Sequence, residues 1–158
     1  MKTLINNTLY RNSHYSINNI LLRSFSVKKY KATTTFLNGK LSSKMGEIEV
    51  EIKQPLEMVL GALGSCEIHS INFHADKNKV NIEKIEIEAK GDYDVDVYLE
   101  KKQDKNTYSS IEVVANIYSN EKDKKKLSET VQKGMHMCPV ANTLKFAGIK
   151  FDEIVNYH

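Results

Sequence analysis

Hydrophobic and polar residues alternate with a period of two over several segments of the chain, which is typical of strands with one buried face. Segment 28–36 is rich in threonine and aromatic residues, and the Asn38-Gly39 pair after it is a strong hairpin-turn signal. Residues 47–53, directly after Gly46, alternate strictly between polar and apolar, so we expect one face of this segment to be buried. This part of the chain therefore predicts three strands joined by short turns.

The same alternation returns later and predicts three more strands. The first covers residues 81–99 and contains a bend or bulge at Gly91-Asp92, the second covers residues 111–117, and the third covers residues 149–157.

A change to helical spacing follows Pro55, a residue that can open a helix because the first turn needs no N–H group from it. Apolar side chains then recur at helical intervals, at Leu56, Val59, Leu60, Leu63, Ile71 and Phe73. Gly61 and Gly64 interrupt the pattern, and each mid-helix glycine costs about 1 kcal/mol relative to alanine. We therefore expect another element to approach this helix closely.

Two further helices are predicted near the C-terminal end. Residues 121–132 are polar and lysine-rich, with Leu127 and Val131 four positions apart, which predicts a solvated amphipathic helix. Pro139 should end or restart that helix, and Gly148 fits a helix C-terminal cap. The order βββ-α-ββ-αα-β within 158 residues predicts a single α+β domain in which antiparallel sheet wraps long helices.

The N-terminal segment has the composition of a mitochondrial transit peptide. Residues 1–46 contain no acidic residue, and the first 25 hold Lys2, Arg11 and Arg23 among many Asn, Ser and Leu residues. The LLRSFS sequence resembles a matrix-processing site, with cleavage between Phe25 and Ser26. We therefore expect a transit peptide at residues 1–25, a folded domain at residues 26–158 and location in the mitochondrial matrix. A disordered Asn-rich tail is the alternative.

The formal charge of +3 comes from this segment, because it holds three of the 23 basic residues and none of the 20 acidic residues. Without it the chain has no net charge and no basic stripe interleaved with aromatic residues, which argues against nucleic acid as a partner. The main apolar stretch, residues 56–71, is interrupted by Glu57, Glu67 and His69, and is too short and too polar to cross a bilayer.

The chain has two cysteines, Cys66 in the small-residue helix pattern and Cys138 directly before Pro139. Spacing alone leaves two interpretations open: a redox pair, or two inert thiols that pack as small hydrophobic groups. Pro139 at the first helical position would make Cys138 the N-cap residue, where the helix dipole favours a thiolate. By electrostatics alone, Cys138 would therefore be the more acidic thiol and Cys66 its partner in the interior.

A zinc site is a third interpretation. Cys66 and His69 are three residues apart on one helix face, and His136 and Cys138 flank Met137, so four nitrogen and sulfur ligands could meet. Both patterns are short and frequent, and ordinary hydrogen-bonded or exposed histidines are the stronger explanation.

Residues 54–66 (QPLEMVLGALGSC), the strand run 80–90 and residues 138–144 (CPVANTL) resemble the OsmC/Ohr family, over roughly residues 28–157. The resemblance implies an intertwined homodimer of α+β subunits, with long central helices wrapped by antiparallel sheets. Such a dimer would explain Gly61 and Gly64. It implies no cofactor and no metal.

The resemblance also implies a thiol-dependent peroxidase in which Cys66 attacks an organic hydroperoxide and Cys138 resolves the sulfenic acid to a disulfide. A dithiol reductant, lipoyl-type or thioredoxin-like, would restore both thiols.

The sequence departs from the peroxidase pattern in two places. Leu56 occupies the position of the expected acid, which is displaced to Glu57, the candidate orienting carboxylate. No arginine follows Arg23, so a cation beside Cys66 could only be a lysine such as Lys40 or Lys44. On a straight helix Glu57 and Cys66 lie about half a turn apart in angle and should not touch within one subunit. A non-catalytic dimer that senses redox state or binds a small apolar ligand is the alternative function.

Overall fold

The first sheet is built from the predicted hairpins. The computed structural model describes residues 29–158, and in it strands β1 (Ala32–Leu37), β2 (Lys40–Met45) and β3 (Ile48–Glu51) form an antiparallel sheet in chain order. The predicted Asn-Gly turn is confirmed, with φ angles of 51° at Asn38 and 76° at Gly39. The predicted transit peptide lies outside the described residues and stays a prediction.

This first sheet stands apart from the rest of the described chain, because it makes no extensive contact with the helices or with the second sheet. Phe36 is 73% exposed and Ile48 is 65% exposed. The prediction that one face of segment 47–53 is buried is therefore wrong for a single subunit, since no layer of the described subunit covers the sheet.

Helix α1 (Pro55–Asn78) begins at the predicted proline. It ends at Lys79, which has a φ of 52° and whose N–H group donates to the carbonyl oxygens of Ala75 and Asp76. Its buried side includes Leu63, Glu67 and Ile71, at four-residue spacing. None of the helices within residues 29–158 is long and apolar enough to cross a membrane.

The second sheet carries the core. Strands β4 (Lys84–Tyr93), β5 (Tyr108–Tyr118) and β6 (Lys150–Tyr157) lie in chain order. β4 pairs with β5 antiparallel, whereas β6 joins β5 in parallel, so the sheet is mixed. The parallel pairing follows from the two helices between β5 and β6, which return the chain to the same end of the sheet. Four β5 side chains are fully buried: Ile111, Val113, Ala115 and Ile117.

The predicted strand over residues 81–99 is only partly correct. β4 ends at Tyr93 after a register shift at Asp92/Tyr93, which confirms the predicted irregularity near Gly91-Asp92. Residues after it form the short helix α2 (Val95–Tyr98) because the carboxylate of Asp94 accepts a 3.0 Å hydrogen bond from the N–H of Asp96.

Two helices complete the layer on the second sheet. The predicted amphipathic helix is α3 (Lys124–His136). It begins after the capping carboxylate of Asp123 and extends beyond the predicted end at residue 132. Pro139 opens α4 (Pro139–Phe146), as predicted. Gly148 follows with a φ of 78° and donates to the carbonyl oxygen of Lys145, which confirms the predicted cap.

α3 runs antiparallel to α1 and crosses it closely. The Asn78 amide donates to Thr130 Oγ1 at 3.0 Å, and the Ser70 hydroxyl donates to the carbonyl oxygen of Gly134 at 2.7 Å. A Cβ atom on Gly134 would lie 2.5 Å from Ile71 Cα, so only glycine allows this approach.

The close approach expected at Gly61 and Gly64 is not seen within the subunit. Among the described residues nothing lies within 4 Å of a Cβ placed on Gly61. At Gly64 the nearest atom is Ile87 Cγ2 at 3.4 Å, an ordinary packing distance.

The crossing generates a stability prediction. Gly134→Ala should lower the free energy of unfolding by about 1–3 kcal/mol, because the added methyl group meets the backbone of Ile71 and cannot be accommodated by a side-chain rotation. Urea unfolding followed by circular dichroism would measure it. The matched control, Gly64→Ala, should change the value by less than about 1 kcal/mol. Equal effects of the two changes would contradict a tight crossing at Gly134.

Candidate functional site

The antiparallel packing of α1 and α3 brings the two cysteines together. Cys66 is half-buried on α1, and Cys138, directly after α3 ends, is fully buried. Both thiols are free, and they lie close enough for Cys66 to contribute to the raised pKa of the Cys138 thiol. The structure therefore places the two residues of the predicted redox pair side by side.

Cys138 is the N-cap residue of α4, as predicted. Its Sγ atom accepts a hydrogen bond from the N–H of Ala141 at 3.4 Å. Burial nevertheless raises the pKa of the Cys138 thiol to about 11, with a further contribution from Cys66, and this outweighs the opposing effect of the Ala141 and Val140 N–H groups. The expectation that Cys138 would be the more acidic thiol is not met, because desolvation exceeds the capping effect. Cys138 keeps its proton at neutral pH.

Glu57 lies on a different face of α1 from Cys66. It is exposed and lines a shallow groove of about 380 Å³ between α1 and β4, together with Gly61, Gly64 and Ile87 among others, but not Cys66. The Tyr108 hydroxyl donates to the Leu56 carbonyl oxygen at 2.7 Å, and burial, followed by the charge of Glu57, raises the pKa of Tyr108. The structure does not bring Glu57 to the thiols within one subunit.

The candidate cations are separated from the thiols, and the candidate metal ligands form no cluster with them among the described residues. Lys40 and Lys44 are exposed on β2, in the sheet that makes no extensive contact with α1. His69 and His136 are exposed. Between residues 29 and 158 no three His, Cys, Asp or Glu side chains are grouped so that they could hold a metal ion. The zinc alternative thus gains no support from the arrangement of these residues.

Glu67 is the residue that sequence reasoning did not single out. Its side chain is completely buried, and neither carboxylate oxygen has a hydrogen-bond partner among residues 29–158. The available signal was its four-residue spacing from Leu63 and Ile71, which places an acid on the apolar face of α1. Buried carboxyl groups without partners are rare because desolvation of the charged form is costly.

The environment of Glu67 favours its neutral form. Burial is the largest cause and the carboxylate of Glu153 the next, and together they raise the pKa of Glu67 to about 7 although Lys145 opposes the change. Lys145 is itself committed to Glu153, with 2.8 Å between Nζ and Oε1. Glu67 follows Cys66 directly on α1, and Lys145 lies on the helix that Cys138 caps.

Comparison with protein families gives a match to the model described as "OsmC-like protein", over residues 49–153. Both cysteines lie within this range. No curated protein matches the chain.

Several solved structures share the fold. An OsmC-like protein from Mycoplasma pneumoniae superposes with a TM-score of 0.71 at 19% sequence identity, covering 82% of this chain and 97% of that one. An organic hydroperoxide resistance protein from Elizabethkingia anophelis has a TM-score of 0.59 at 16% identity, with coverages of 85% and 99%. An organic hydroperoxide resistance protein from Bacillus subtilis has a TM-score of 0.55 at 14% identity, covering 83% of this chain and 100% of that one. At these identities the likeness establishes the α+β fold.

The buried carboxyl group generates a pH prediction. Because the folded protein holds the Glu67 proton up to about pH 7, whereas an ordinary carboxyl has a pKa of 4.5, its contribution to stability is fully present below about pH 4.5 and is lost as the pH rises through about 7. Glu67→Gln removes this titration. Between pH 5 and pH 8 the wild type should therefore lose up to about 3 kcal/mol of unfolding free energy relative to the Glu67→Gln variant.

Urea unfolding at several pH values would measure this difference. Glu88→Gln, at an exposed carboxyl on β4, is the matched control and should follow the wild-type pH dependence. A constant difference between wild type and Glu67→Gln would contradict a raised pKa at Glu67.

Proposed function

The chain belongs to the OsmC-like protein family, and from that premise we propose that it is a thiol-dependent peroxidase that reduces organic hydroperoxides. The observation that carries the proposal is the pairing of a half-buried Cys66 with a fully buried, protonated Cys138 across two helices. A peroxidase that works through an internal disulfide needs one thiol that the substrate can reach and a second thiol within reach of the first.

In the first step the Cys66 thiolate attacks the distal oxygen of the hydroperoxide. A sulfur–oxygen bond forms, the oxygen–oxygen bond breaks, and its electron pair leaves with the alkoxide, which takes a proton to become the alcohol. The neighbouring Cys138 thiol, which keeps its proton at neutral pH, is a hydrogen-bond donor for this step. Cys66 is then a sulfenic acid.

In the second step the Cys138 sulfur attacks the Cys66 sulfur, water leaves, and a disulfide forms. A dithiol reductant, lipoyl-type or thioredoxin-like, then reduces the disulfide and is itself oxidised. Complete burial protects Cys138 from direct oxidation by peroxide, since accessible thiolates are the ones that oxidise.

The surroundings of the thiols suit an organic substrate. Phe73 lies two helical turns from Cys66 on the same face of α1 and is 60% exposed, and Met137 next to Cys138 is 49% exposed. Exposed apolar side chains on this scale favour contact with an apolar group. We therefore favour an alkyl or lipid hydroperoxide over hydrogen peroxide.

We further propose that the functional unit is a homodimer. The first sheet leaves Phe36, Leu37, Ile48 and Val50 exposed, although its strands need a covering layer to be stable. A second copy would supply that layer and could carry Glu57, Lys40 or Lys44 to the neighbouring Cys66.

Size measurement by sedimentation velocity tests the dimer. The purified chain should sediment at twice the subunit mass of 18.1 kDa, or correspondingly less if residues 1–25 are removed. Ile48→Asp should shift the protein toward the monomer, because it would bury a charge in the interface. Tyr98→Asp, at an equally exposed apolar residue on α2, should leave the dimer intact. A wild-type monomer would overturn the proposal.

A stoichiometric reaction with an organic hydroperoxide such as cumene hydroperoxide, followed by intact mass, tests the peroxidase. The wild type should lose two mass units as a disulfide forms. Cys138→Ser should stop at a sulfenic or overoxidised form, and Cys66→Ser should stay unreacted. Equal, slow oxidation of all three proteins would contradict the proposed roles.

The second candidate function is a non-catalytic dimer that senses redox state or binds a small apolar ligand. The absence of any arginine after Arg23 favours it, because a lysine cannot reproduce the bidentate contacts of a guanidinium group. Disulfide formation without turnover in the presence of a dihydrolipoyl compound or a thioredoxin would support sensing instead of catalysis.

A further inference from the structure

Glu67 occupies a core position that the proposed chemistry does not use. Both carboxylate oxygens are buried and have no hydrogen-bond partner in the described part of the chain, on the helix that carries Cys66. Among the described residues the other buried side chains are apolar or uncharged, apart from His74, which lies two turns along α1 from Glu67. None of the residues between 29 and 158 donates a hydrogen bond to either Glu67 oxygen in this arrangement.

The charged groups that act on Glu67 are Lys145 on α4 and Glu153 on β6. Glu153 pairs in register with the buried Val113 in parallel strands, so its side chain lies on the helix-covered side of the sheet. Lys145 Nζ is 2.8 Å from Glu153 and 4.7 Å from the centre of the Phe151 ring. Two carboxyl groups therefore share the neighbourhood of a single ammonium group.

We propose that Glu67, Lys145 and Glu153 form a proton-controlled latch between α1 and α4, and that Glu67 is a positioning residue for the two thiols. With Glu67 neutral, Lys145 bonds Glu153 and ties α4 to β6, as the structure shows. When Glu67 loses its proton, Lys145 turns to it and ties α4 to α1 instead. Glu153, near the surface, is then solvated.

The exchange is favoured by the different exposure of the two carboxyl groups. Glu153 retains 29% side-chain exposure and can be hydrated without Lys145, whereas Glu67 is completely buried and cannot. An unpartnered buried carboxylate is far more costly than an exposed one, so the ammonium group follows the ionised Glu67. The long, partly exposed lysine side chain can rotate between them without unfolding of α4.

The choice of partner by Lys145 affects the thiols because α1 carries Cys66 and α4 is capped by Cys138. Lys145 lies in the last turn of α4, and Cys138 caps the first turn. α1 and α4 already pack against each other, and a Lys145–Glu67 ion pair would add a tie between them that holds Cys138 against Cys66 and favours the disulfide. This consequence rests on the proposed function only in taking the two thiols to be a redox pair.

The test is the pH dependence of the Cys66–Cys138 disulfide in equilibrium with reduced and oxidised dithiothreitol, measured by intact mass on the full chain. The ratio of the wild-type equilibrium constant to that of Glu67→Gln should rise by at least about five-fold between pH 6 and pH 8. Lys145→Met should abolish the rise, and Glu88→Gln should behave as the wild type. A constant ratio would overturn the latch.

A second readout is independent of the thiols. The infrared band of a protonated carboxyl group should be present in the wild type at pH 6 and absent in Glu67→Gln. As the pH rises, the band should disappear at a higher pH in Lys145→Met than in the wild type, and at a lower pH in Glu153→Gln. Unshifted midpoints would overturn the three-residue cluster. If the disulfide equilibrium shows the expected pH dependence but the protein does not reduce cumene hydroperoxide, the proposed function is overturned and the latch stands.

Discussion

The close crossing of α1 and α3 at Gly134 is the constraint on which the site depends. Backbone contact between Gly134 and Ile71 fixes the distance between the helices, and their antiparallel course fixes which residues face each other. Four residues beyond Gly134, the chain reaches Cys138 at the level of Cys66. The same crossing allows α4 to start beneath α1, so that the cap, the thiol pair and the Lys145 side chain all follow from one contact.

Desolvation dominates the electrostatics of this interior. The N-cap position of Cys138 supplies two N–H groups that lower the pKa of its thiol, yet burial has the larger effect. Burial likewise has the largest effect on Glu67, although Lys145 lies nearby. In both cases the neutral form is favoured, and the reactive character of the site is therefore set by which groups the fold buries as much as by which charges it places near them.

Within one subunit the second sheet has a buried apolar face, whereas the apolar side chains of the first sheet are exposed. The second sheet buries an unbroken row of β5 side chains beneath α1, and this burial supplies the core. The first sheet has the same alternating pattern in its sequence, but its apolar side chains are exposed and it has no layer to pack on. A period of two shows that a strand has an apolar face without showing whether that face is covered by the same chain or by another.

The sequence by itself determined the local structure and the family. The Asn38-Gly39 turn, the helix starts at Pro55 and Pro139 and the Gly148 cap depend on backbone preferences of single residues, and these hold in any context. The helix over residues 95–98 was missed because one capping carboxylate, Asp94, outweighed the alternation of Val95, Val97 and Leu99. The residues of the motifs around Cys66 and Cys138, and their order along the chain, resemble the family that a match over residues 49–153 shows.

Only the tertiary structure decided what surrounds each reactive group. It placed Cys138 beside Cys66, reversed the acidity expected for Cys138, separated Glu57 from the thiols, and left Glu67 buried without a partner. The physical reason is that pKa values and contacts between distant residues depend on desolvation and on distances set by helix packing, and neither is encoded in local sequence preference.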